Sequence, residues 1–461
     1  MSIPSPNSPF RNGSVLGLTI LVLNCLAVAD SAPVVAPPSS QPATKTALAI
    51  PVEEEAFDPE QHLLVDPWGW RKKLANNGIT LDPYLIVDNS QNFIGGVNTR
   101  SNNFRDRFNV PITIDTEKLF GLHGGTFVVV YQLQHGENAS HQLTGDAQNF
   151  SFLTDADGRS QIGQLWYQQK FFHDLFRLRL GKLEGNADFD ALDNDQDFMN
   201  NSFQTSPTLG LLPSFPDTGT GVQLFFEPDG GFYAGAGVFD GSGARGVHTG
   251  ETGPRTFFDR PSDLFYITEI GLRYKLEVAG RNRAGRVGVG YWYDANPFPR
   301  IDNNGSTVGT YGAYILFDQL LWKPRHELPI PSGPPGANNE KPEEENYPQG
   351  AALSASVSWA DPLVNRIDGN ALAGITWTGP MLFRPIDELG FGATYAHFSR
   401  ADNTRYNYEL AVEAFYRIRF TQWISLKPDL QYIAHPSGSG MFDEPDRHNA
   451  LVASLRMEVS F

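Results

Sequence analysis

Apolar and polar residues alternate one by one along several stretches of this chain, most clearly at its C-terminus. Between 451 and 461 the odd positions carry Leu, Ala, Leu, Met, Val and Phe, while positions 454, 456, 458 and 460 carry Ser, Arg, Glu and Ser. The stretches 406–420 and 424–434 repeat this pattern. A period of two places successive side chains on opposite faces of a β-strand. The alternation therefore predicts strands with one apolar and one polar face.

Sixteen strands of this kind can be placed, and the connections between them alternate in length. They lie near 79–90, 106–115, 125–135, 161–171, 175–184, 221–227, 231–239, 263–275, 284–294, 310–320, 351–359, 370–378, 388–399, 406–420, 424–434 and 448–461. Connections after odd-numbered strands are mostly long and polar, and those after even-numbered strands are mostly short. One segment departs from this rule, because 321–350 is long, rich in Pro and Glu, and stands where a short turn is expected.

This arrangement predicts an all-β fold, a transmembrane antiparallel β-barrel of about 16 strands with short periplasmic turns and long external loops. An even strand number places both termini on the periplasmic side. A secreted soluble β-protein with one solvated face would show the same alternation. The barrel is favoured by Phe461 on the apolar face of the last strand and by aromatic residues near strand ends, such as Trp423 and Tyr432.

The N-terminal region has the features of an export signal followed by a leader. Val15 to Leu26 is an apolar run, too short to span a membrane, and Ala27-Val28-Ala29 has the form of a cleavage site. Residues 1–29 are therefore predicted to be a cleaved signal peptide, and 30–65 a disordered leader rich in Pro and Glu. A short helix is predicted from Asp66, with Gly78 as its stop, and 66–461 as the barrel domain.

Composition excludes several other classes of protein. The chain has 35 Lys and Arg against 52 Asp and Glu, a net charge of −17, which disfavours nucleic-acid binding. The single cysteine, Cys25, excludes a disulfide framework and a cysteine-based zinc site. The motifs G-x-S-x-G, H-E-x-x-H and the phosphate-binding loop do not occur. The sequence thus predicts no enzyme activity, no catalytic residue, no metal and no cofactor.

Several stretches, taken in order, resemble the carbohydrate-selective porin family of Gram-negative outer membranes, from about residue 66 to 461. They are DPWGWRKKLANNGI, LRLGKLEGNADF, NSFQTSPTL, GVFDG, GVGYWYDANPF, YILFDQLLW, TGPMLFRPIDELGFG and LKPDLQYIAHP. The resemblance implies a sixteen-stranded barrel in the cell outer membrane, either a monomer or a homotrimer. It further implies a pore for monosaccharides and small oligosaccharides, with sugars, outer-membrane lipid and lipopolysaccharide as partners.

The polar positions of four strands are predicted to line the pore and contact sugar. They are Arg177, Arg179, Glu409, Glu413, Arg417, Arg419, Lys427, Asp429, Gln431, Arg456 and Glu458. Those on the last three strands are expected to form one mixed-charge wall, because these strands follow one another in sequence. Cationic side chains donate to sugar hydroxyls, carboxylates and amides accept from them, and binding must stay weak for conduction.

The loop at about 185–220 is a second candidate site, since the resemblance implies that it folds into the lumen and narrows it. Its candidate constriction residues are Asp188, Asp190, Asp195 and Asn200. The run 193–197 is similar to the start of a calcium loop. However, Phe198 and Gln204 stand where an EF-hand needs Gly and Glu, so an acidic loop without a bound metal is favoured.

The sequence therefore predicts a passive, selective outer-membrane channel for carbohydrates. A general or cation-preferring porin on the same fold is one alternative, motivated by the excess of Asp and Glu. A secreted carbohydrate-binding β-protein that never enters a membrane is an alternative of another class.

Overall fold

A computed structural model of the chain describes residues 63–64, 66, 68–153, 158–259, 263–324, 349–381, 383–439 and 447–461. The predicted signal peptide, nearly all of the predicted leader and most of the 321–350 segment lie outside the described residues. Within the part of the chain that the structure describes, no helix combines the length and the apolar character needed to cross a membrane.

The described residues form one antiparallel sheet of seventeen strands, of which sixteen close into a barrel. The strands are β1 Ile79–Leu81, β2 Tyr84–Ile94, β3 Asn102–Asp115, β4 Gly125–His135, β5 Arg159–Phe171, β6 Phe176–Leu183, β7 Gly219–Phe226, β8 Phe232–Asp240, β9 Leu264–Val278, β10 Arg281–Pro299, β11 Ser306–Trp322, β12 Gly350–Ala360, β13 Ile367–Thr378, β14 Glu388–Phe398, β15 Tyr408–Arg419, β16 Ile424–Ala434 and β17 Ala450–Ser460. From β2 to β17 each strand pairs with the next, and β17 pairs with β2 to close the ring. The short strand β1 pairs with the end of β3.

This architecture confirms the predicted fold class, because every predicted strand overlaps one strand of the ring. The first predicted strand, 79–90, is divided into β1 and β2 at Asp82 and Pro83. Proline has no amide hydrogen for a sheet ladder, so it interrupts a strand. The Pro83 carbonyl instead accepts a hydrogen bond from the main-chain N–H of Phe461, at 2.8 Å.

The described residues include three short α-helices: α1 Trp70–Asn76, α2 Thr116–Phe120 and α3 Arg255–Asp259. The predicted helix from Asp66 corresponds to α1, which begins four residues later. The Asp66 carboxylate accepts from the main-chain N–H groups of Arg71 and Lys72, at 3.2 and 2.9 Å, and so satisfies donors of the first turn. Gly78 adopts a φ of +84°, the left-handed conformation that ends a helix.

The strands carry apolar side chains on the outside of the barrel and mainly polar ones inside. On β11, Ile315 is 47% exposed, whereas the flanking Tyr314 and Leu316 are almost fully buried. The same outward exposure is found on strands around the ring, at Ile162, Leu180, Leu224, Ile270, Val289, Val357, Ile375, Phe391, Leu430 and Leu455. A continuous apolar outer surface of this kind is typical of a barrel in contact with lipid.

The two ends of the barrel differ. The connections 172–175, 227–231, 279–280 and 420–423 are short and lie at the same end as α1 and the last residue, which we call the short-turn end. The described residues of the connections that follow β4, β6, β8 and β16 lie at the opposite, long-loop end. The predicted alternation of connection lengths is thus present, with the 323–349 connection as its exception.

Placing a charge in the middle of the outer surface should destabilise the barrel. We expect Ile315→Arg to lower the free energy of unfolding by about 2–4 kcal/mol, because the guanidinium would face the hydrocarbon core. Val308→Arg, on the same strand close to the long-loop end and 76% exposed, should cost only about 0–1 kcal/mol. Urea unfolding in lipid bilayers measures both values, and equal costs would show that this surface does not face lipid.

Candidate pore constriction

The inward polar side chains are largely covered by two loops that enter the barrel from the long-loop end. Buried polar residues occur on strands all around the ring, among them Asp88, Arg105, Gln168, Glu269, Asp318, Thr394 and Glu413. Buried polar groups need hydrogen-bond partners. Many of these partners come from the β4–β5 loop and from residues 184–218, which connect β6 to β7 and which we call the inner loop. Others lie on neighbouring strands, such as Asp88 for Arg105 and Arg179 for Gln168.

The first anchor of the inner loop is at β6. Asp188 accepts from Arg177 at 2.9 Å and from Arg179 at 2.6 Å. Burial alone would raise the pKa of Asp188, but the charges of Arg179 and Arg177 outweigh it and lower this pKa to about 2. The two guanidiniums also stack over aromatic rings, Arg177 over Phe225 and Arg179 over Trp166, each at 4.4 Å. Both predicted arginines therefore lie on the inward face and hold the loop.

The second anchor of the inner loop is at β15 and β16. The Asp197 carboxylate pairs with Arg417 and, at 3.4 Å, with Arg419. Lys427 donates to the main-chain oxygen of Asp197. Burial raises the pKa of Asp197, but Arg417, Lys427 and Arg419 together hold it well below its usual range. Arg417 also pairs with Glu458 on β17.

These two anchors lie on opposite walls of the barrel. In the ring of sixteen strands, β6 and β15 are nine strands apart in one direction and seven in the other. The nine residues from Asp188 to Asp197 can span at most roughly 30 Å when extended. The inner loop therefore crosses the lumen from wall to wall.

Just after the second anchor, hydrogen bonds to the main chain and to a side-chain amide of the inner loop hold it against β15 and β16. Glu413 accepts from the N–H groups of Met199 and Asn200, the latter at 3.0 Å. The Asn200 side chain donates to Gln431 at 3.2 Å, and Gln431 in turn donates to Asp429 at 3.0 Å. These predicted wall residues are buried and fasten the loop to β15 and β16.

Glu409, another predicted wall residue, holds the β4–β5 loop. Its carboxylate accepts from the main-chain N–H groups of Ala147 and Gln148, at 2.8 and 2.9 Å. Glu409 has no exposed surface. Its contacts are therefore with protein, at the long-loop end of the lumen.

Arg456 lies in a buried cluster with Asp88 and Arg105. Of these three residues, only Arg456 was predicted from the sequence. Its guanidinium contacts both oxygens of Asp88, at 2.8 and 2.9 Å, and Arg105 pairs with the same carboxylate at 3.2 Å. The closure of the ring brings these residues together, because Arg456 on β17 is directly opposite Asp88 on β2. The period-two alternation around Asp88 indicates that Asp88 faces inward. Only the closure of the ring shows that Arg456 is its partner.

An acid-rich cluster on β9 to β11 was also missed, although it holds two predicted constriction residues. The main-chain N–H of Asp190 donates to Glu269 at 3.2 Å, and Arg286 pairs with Glu269 at 2.8 Å. Burial raises the pKa of Asp190 to about 7, despite a hydrogen bond from the Ser206 main chain. Burial, together with the charge of Asp318, raises the pKa of Asp195 well above its usual range.

The predicted wall residues differ in the exposed fraction of their side chains. The side chains of Arg177, Arg417 and Glu458 are 14%, 15% and 16% exposed, whereas those of Lys427 and Arg456 are 1% exposed. Glu227, which the sequence analysis did not select, is 37% exposed and pairs with Arg177 at 3.2 Å. The accessible charges thus gather toward the short-turn end, below the inner loop.

In the described residues, no group of three or more His, Cys, Asp or Glu is placed to hold a metal ion. In the calcium-like run, Asp193 pairs with Arg273 and Arg286, at 3.0 and 3.1 Å. Its carboxylate is therefore engaged by cations of the barrel wall.

Removing the anchor charges should loosen the inner loop. We expect the double variant Asp188→Asn/Asp197→Asn to increase single-channel conductance about twofold or more, because Arg179 and Arg417 lose the buried carboxylates that pair with them. Asp174→Asn, which removes one carboxylate on the exposed short turn 172–175, serves as the control. Unchanged conductance in the double variant would mean that these pairs do not set the width of the pore.

The contact of the inner loop with β9 should weaken as the pH rises through about 7. The pKa of Asp190 is raised in the folded protein, so its stabilising protonated form is complete at low pH and is lost as the pH passes the folded pKa. Ionisation then places a second negative charge beside Glu269. We expect current fluctuations in planar bilayers to increase from pH 6 to pH 8, and Asp190→Asn to reduce this dependence. Asp302→Asn, in the β10–β11 connection where Asp302 pairs with Arg300 at 2.5 Å, should retain it in full. A pH-independent wild-type channel would contradict this expectation.

Comparison with known proteins gives a consistent result. Residues 101–461 match the family described as carbohydrate-selective porin, OprB family. The chain is 22% identical over 458 residues to Porin B of Pseudomonas aeruginosa, covering 88% of this chain and 93% of that protein. It is also 22% identical over 439 residues to the putative porin QuiX of Acinetobacter baylyi, covering 87% of this chain and 93% of that protein.

A solved structure of OprB from Pseudomonas putida at high pH has the same fold. The TM-score is 0.71 at 20% sequence identity, and the match covers 88% of this chain and 100% of that chain. At this sequence identity, the structural similarity establishes the fold alone. The family match spans well over half of the sequence and establishes family membership. The chain belongs to the OprB family of carbohydrate-selective porins.

Proposed function

We propose that sugars diffuse through this channel past a constriction formed between the inner loop and the accessible charges of β6, β15 and β17. The proposal covers monosaccharides and small oligosaccharides. Family membership supports a carbohydrate channel of the Gram-negative outer membrane and suggests a channel rather than an enzyme. What the family does not define is which residues of this chain contact the sugar and how they select it.

The observation that carries the proposal is the placement of partly exposed, oppositely charged groups on both walls of the lumen. Arg177 and Glu227 lie together on one wall, and Arg417 and Glu458 lie together on the other. Each pair offers both hydrogen-bond donors and acceptors, which match the hydroxyl groups of a sugar. Because each arginine is already paired, its net field is small, so a neutral polyol meets no strong barrier and is not held tightly.

The buried members of the predicted wall support the constriction in another way. Lys427, Glu413 and Gln431 hold the inner loop in place, Gln431 through the loop residue Asn200. A solute-selective opening requires side chains that stay in fixed positions. We therefore assign these residues a positioning role and reserve direct sugar contact for the accessible pairs.

Sugar affinity should fall when the accessible carboxylates are neutralised without disturbing the loop anchors. We expect Glu227→Gln and Glu458→Gln each to raise the sugar concentration at half-maximal uptake by about 2- to 10-fold, because a neutral amide oxygen accepts a weaker hydrogen bond than a carboxylate. Uptake of labelled sugars into proteoliposomes measures this effect. Glu117→Gln, on the exposed helix α2, is the matched control.

Two results would contradict the proposal. Equal uptake rates for sugars and for size-matched uncharged amino acids would indicate a general porin. A reversal potential strongly selective for cations, together with sugar uptake that does not respond to either substitution, would favour the cation-preferring alternative. The acid-rich cluster around Asp190 and Glu269 is the feature of this chain that would then account for the preference.

A further inference from the structure

An apolar cavity lies at the short-turn end, between the segment that precedes α1 and the end of β17. Its volume is about 490 Å³. Its lining includes Leu63, Leu64, Trp68, Trp70, Pro83 and Phe461. Trp68 is 83% exposed and Leu64 is 61% exposed. Large apolar side chains clustered at this exposure indicate a surface that binds a partner.

The walls of this cavity are fixed by hydrogen bonds to the first and last strands of the sheet, at the short-turn end. The main-chain N–H of Leu63 donates to Ser460 at 2.9 Å. The buried guanidinium of Arg71 donates to the main-chain oxygen of Phe461 at 2.7 Å and also to Leu81. The cavity is therefore a built part of the fold, since α1, β1 and β17 all contribute to one hydrogen-bonded unit.

The cavity adjoins the outer, lipid-facing side of the barrel. The ring of Phe461 packs edge-on against Phe108, with centroids 5.9 Å apart. On β3, the neighbours of Phe108 are Arg107 and Asn109, which are buried in the lumen. Side chains alternate along a strand, so Phe108 points outward. The cavity thus continues the apolar outer surface at the rim of the barrel.

Positive charge lies beside the cavity on α1. Lys72 and Lys73 follow Trp70 and the buried Arg71, and both are exposed. Tryptophan prefers the boundary between hydrocarbon and head groups, and lysine beside such a boundary extends its ammonium group toward phosphates. In outer-membrane barrels the short turns face the periplasm, where the adjoining leaflet consists of phospholipid.

We propose that this cavity and the two lysines form a binding site for an anionic phospholipid of the periplasmic leaflet. An acyl chain would occupy the cavity between Trp68 and Phe461, and the phosphate would lie against Lys72 and Lys73. The site would attach α1, at the start of the barrel domain, and the last strand to the membrane. This inference rests on the location of the barrel in the outer membrane and is independent of the proposed sugar contacts.

The test is lipid binding to the purified barrel in detergent, followed by native mass spectrometry. Phosphatidylglycerol and phosphatidylcholine serve as the anionic and zwitterionic probes. We expect tighter binding of phosphatidylglycerol, and a loss of about 5-fold in its affinity for each lysine replaced in Lys72→Gln and Lys73→Gln. Trp68→Ala should weaken both lipids, because it removes apolar contact without removing charge.

Matched variants separate this site from general lipid adhesion. Lys118→Gln lies on α2 at the same end of the barrel, and Trp359→Ala lies on the outer surface of β12, with a side chain 45% exposed. Both should bind phosphatidylglycerol as the wild type does. Heat-modifiable migration on a gel verifies that every variant retains the barrel.

Two outcomes would overturn the proposal. One is equal affinity for the two lipids in the wild type, or unchanged affinity for phosphatidylglycerol when both lysines are replaced. The other is wild-type protein that binds no lipid until residues 31–60 are deleted, which would mean that the leader of this chain occupies the cavity. Neither result would bear on the proposed sugar contacts, which are tested separately by sugar uptake.

Discussion

The paired contacts of Asp188 with β6 and of Asp197 with β15 are the interactions on which the shape of the lumen depends. A segment of 35 residues without strands would gain much conformational entropy if it left the barrel, so strong local contacts must oppose its release. Each aspartate is buried and surrounded by two or three cations. Breaking such a pair leaves an uncompensated charge in a buried position, which is far more costly than losing an exposed pair.

The same contacts explain why the mixed-charge wall divides into two groups of residues. One group is buried and bonds to the inner loop: Lys427, Glu413 and Gln431. The other group keeps part of its side-chain surface accessible: Arg417 and Glu458. A neutral solute then meets balanced charge at the opening and a rigid polar scaffold behind it. Selection for sugars would follow from this balance, since a net charge at the opening would instead favour ions.

The barrel itself was predictable from the sequence, because one physical rule governs every strand. Residues facing lipid must be apolar and residues facing the lumen are polar, so the period-two pattern of β15 to β17 identifies strand, face and order together. The exception at Pro83 arises from a missing amide hydrogen, which alternation does not report. The inward placement of Arg177, Arg417 and Arg456 follows from the same rule.

The partners of these residues were not predictable in the same way. Asp88 meets Arg456 only because the ring closes between β17 and β2, and Glu269 meets the inner loop across the lumen. Such contacts join residues 79 and 368 positions apart in sequence. A pattern read along one strand indicates which face a side chain occupies, but it carries no information about the loop that will cover it.

The course of the inner loop across the lumen is tested most directly by cross-linking it to the barrel wall. The hydroxyl oxygens of Ser206 on the loop and Ser358 on β12 lie 2.6 Å apart, close enough for a disulfide when both are replaced by cysteine. In intact outer membranes, the account predicts that Ser206→Cys/Ser358→Cys cross-links as completely as Ser90→Cys/Ser454→Cys, which joins β2 and β17 across a hydroxyl distance of 2.6 Å, and that sugar uptake persists. A loop pair that stays reduced while the strand pair oxidises would contradict the account.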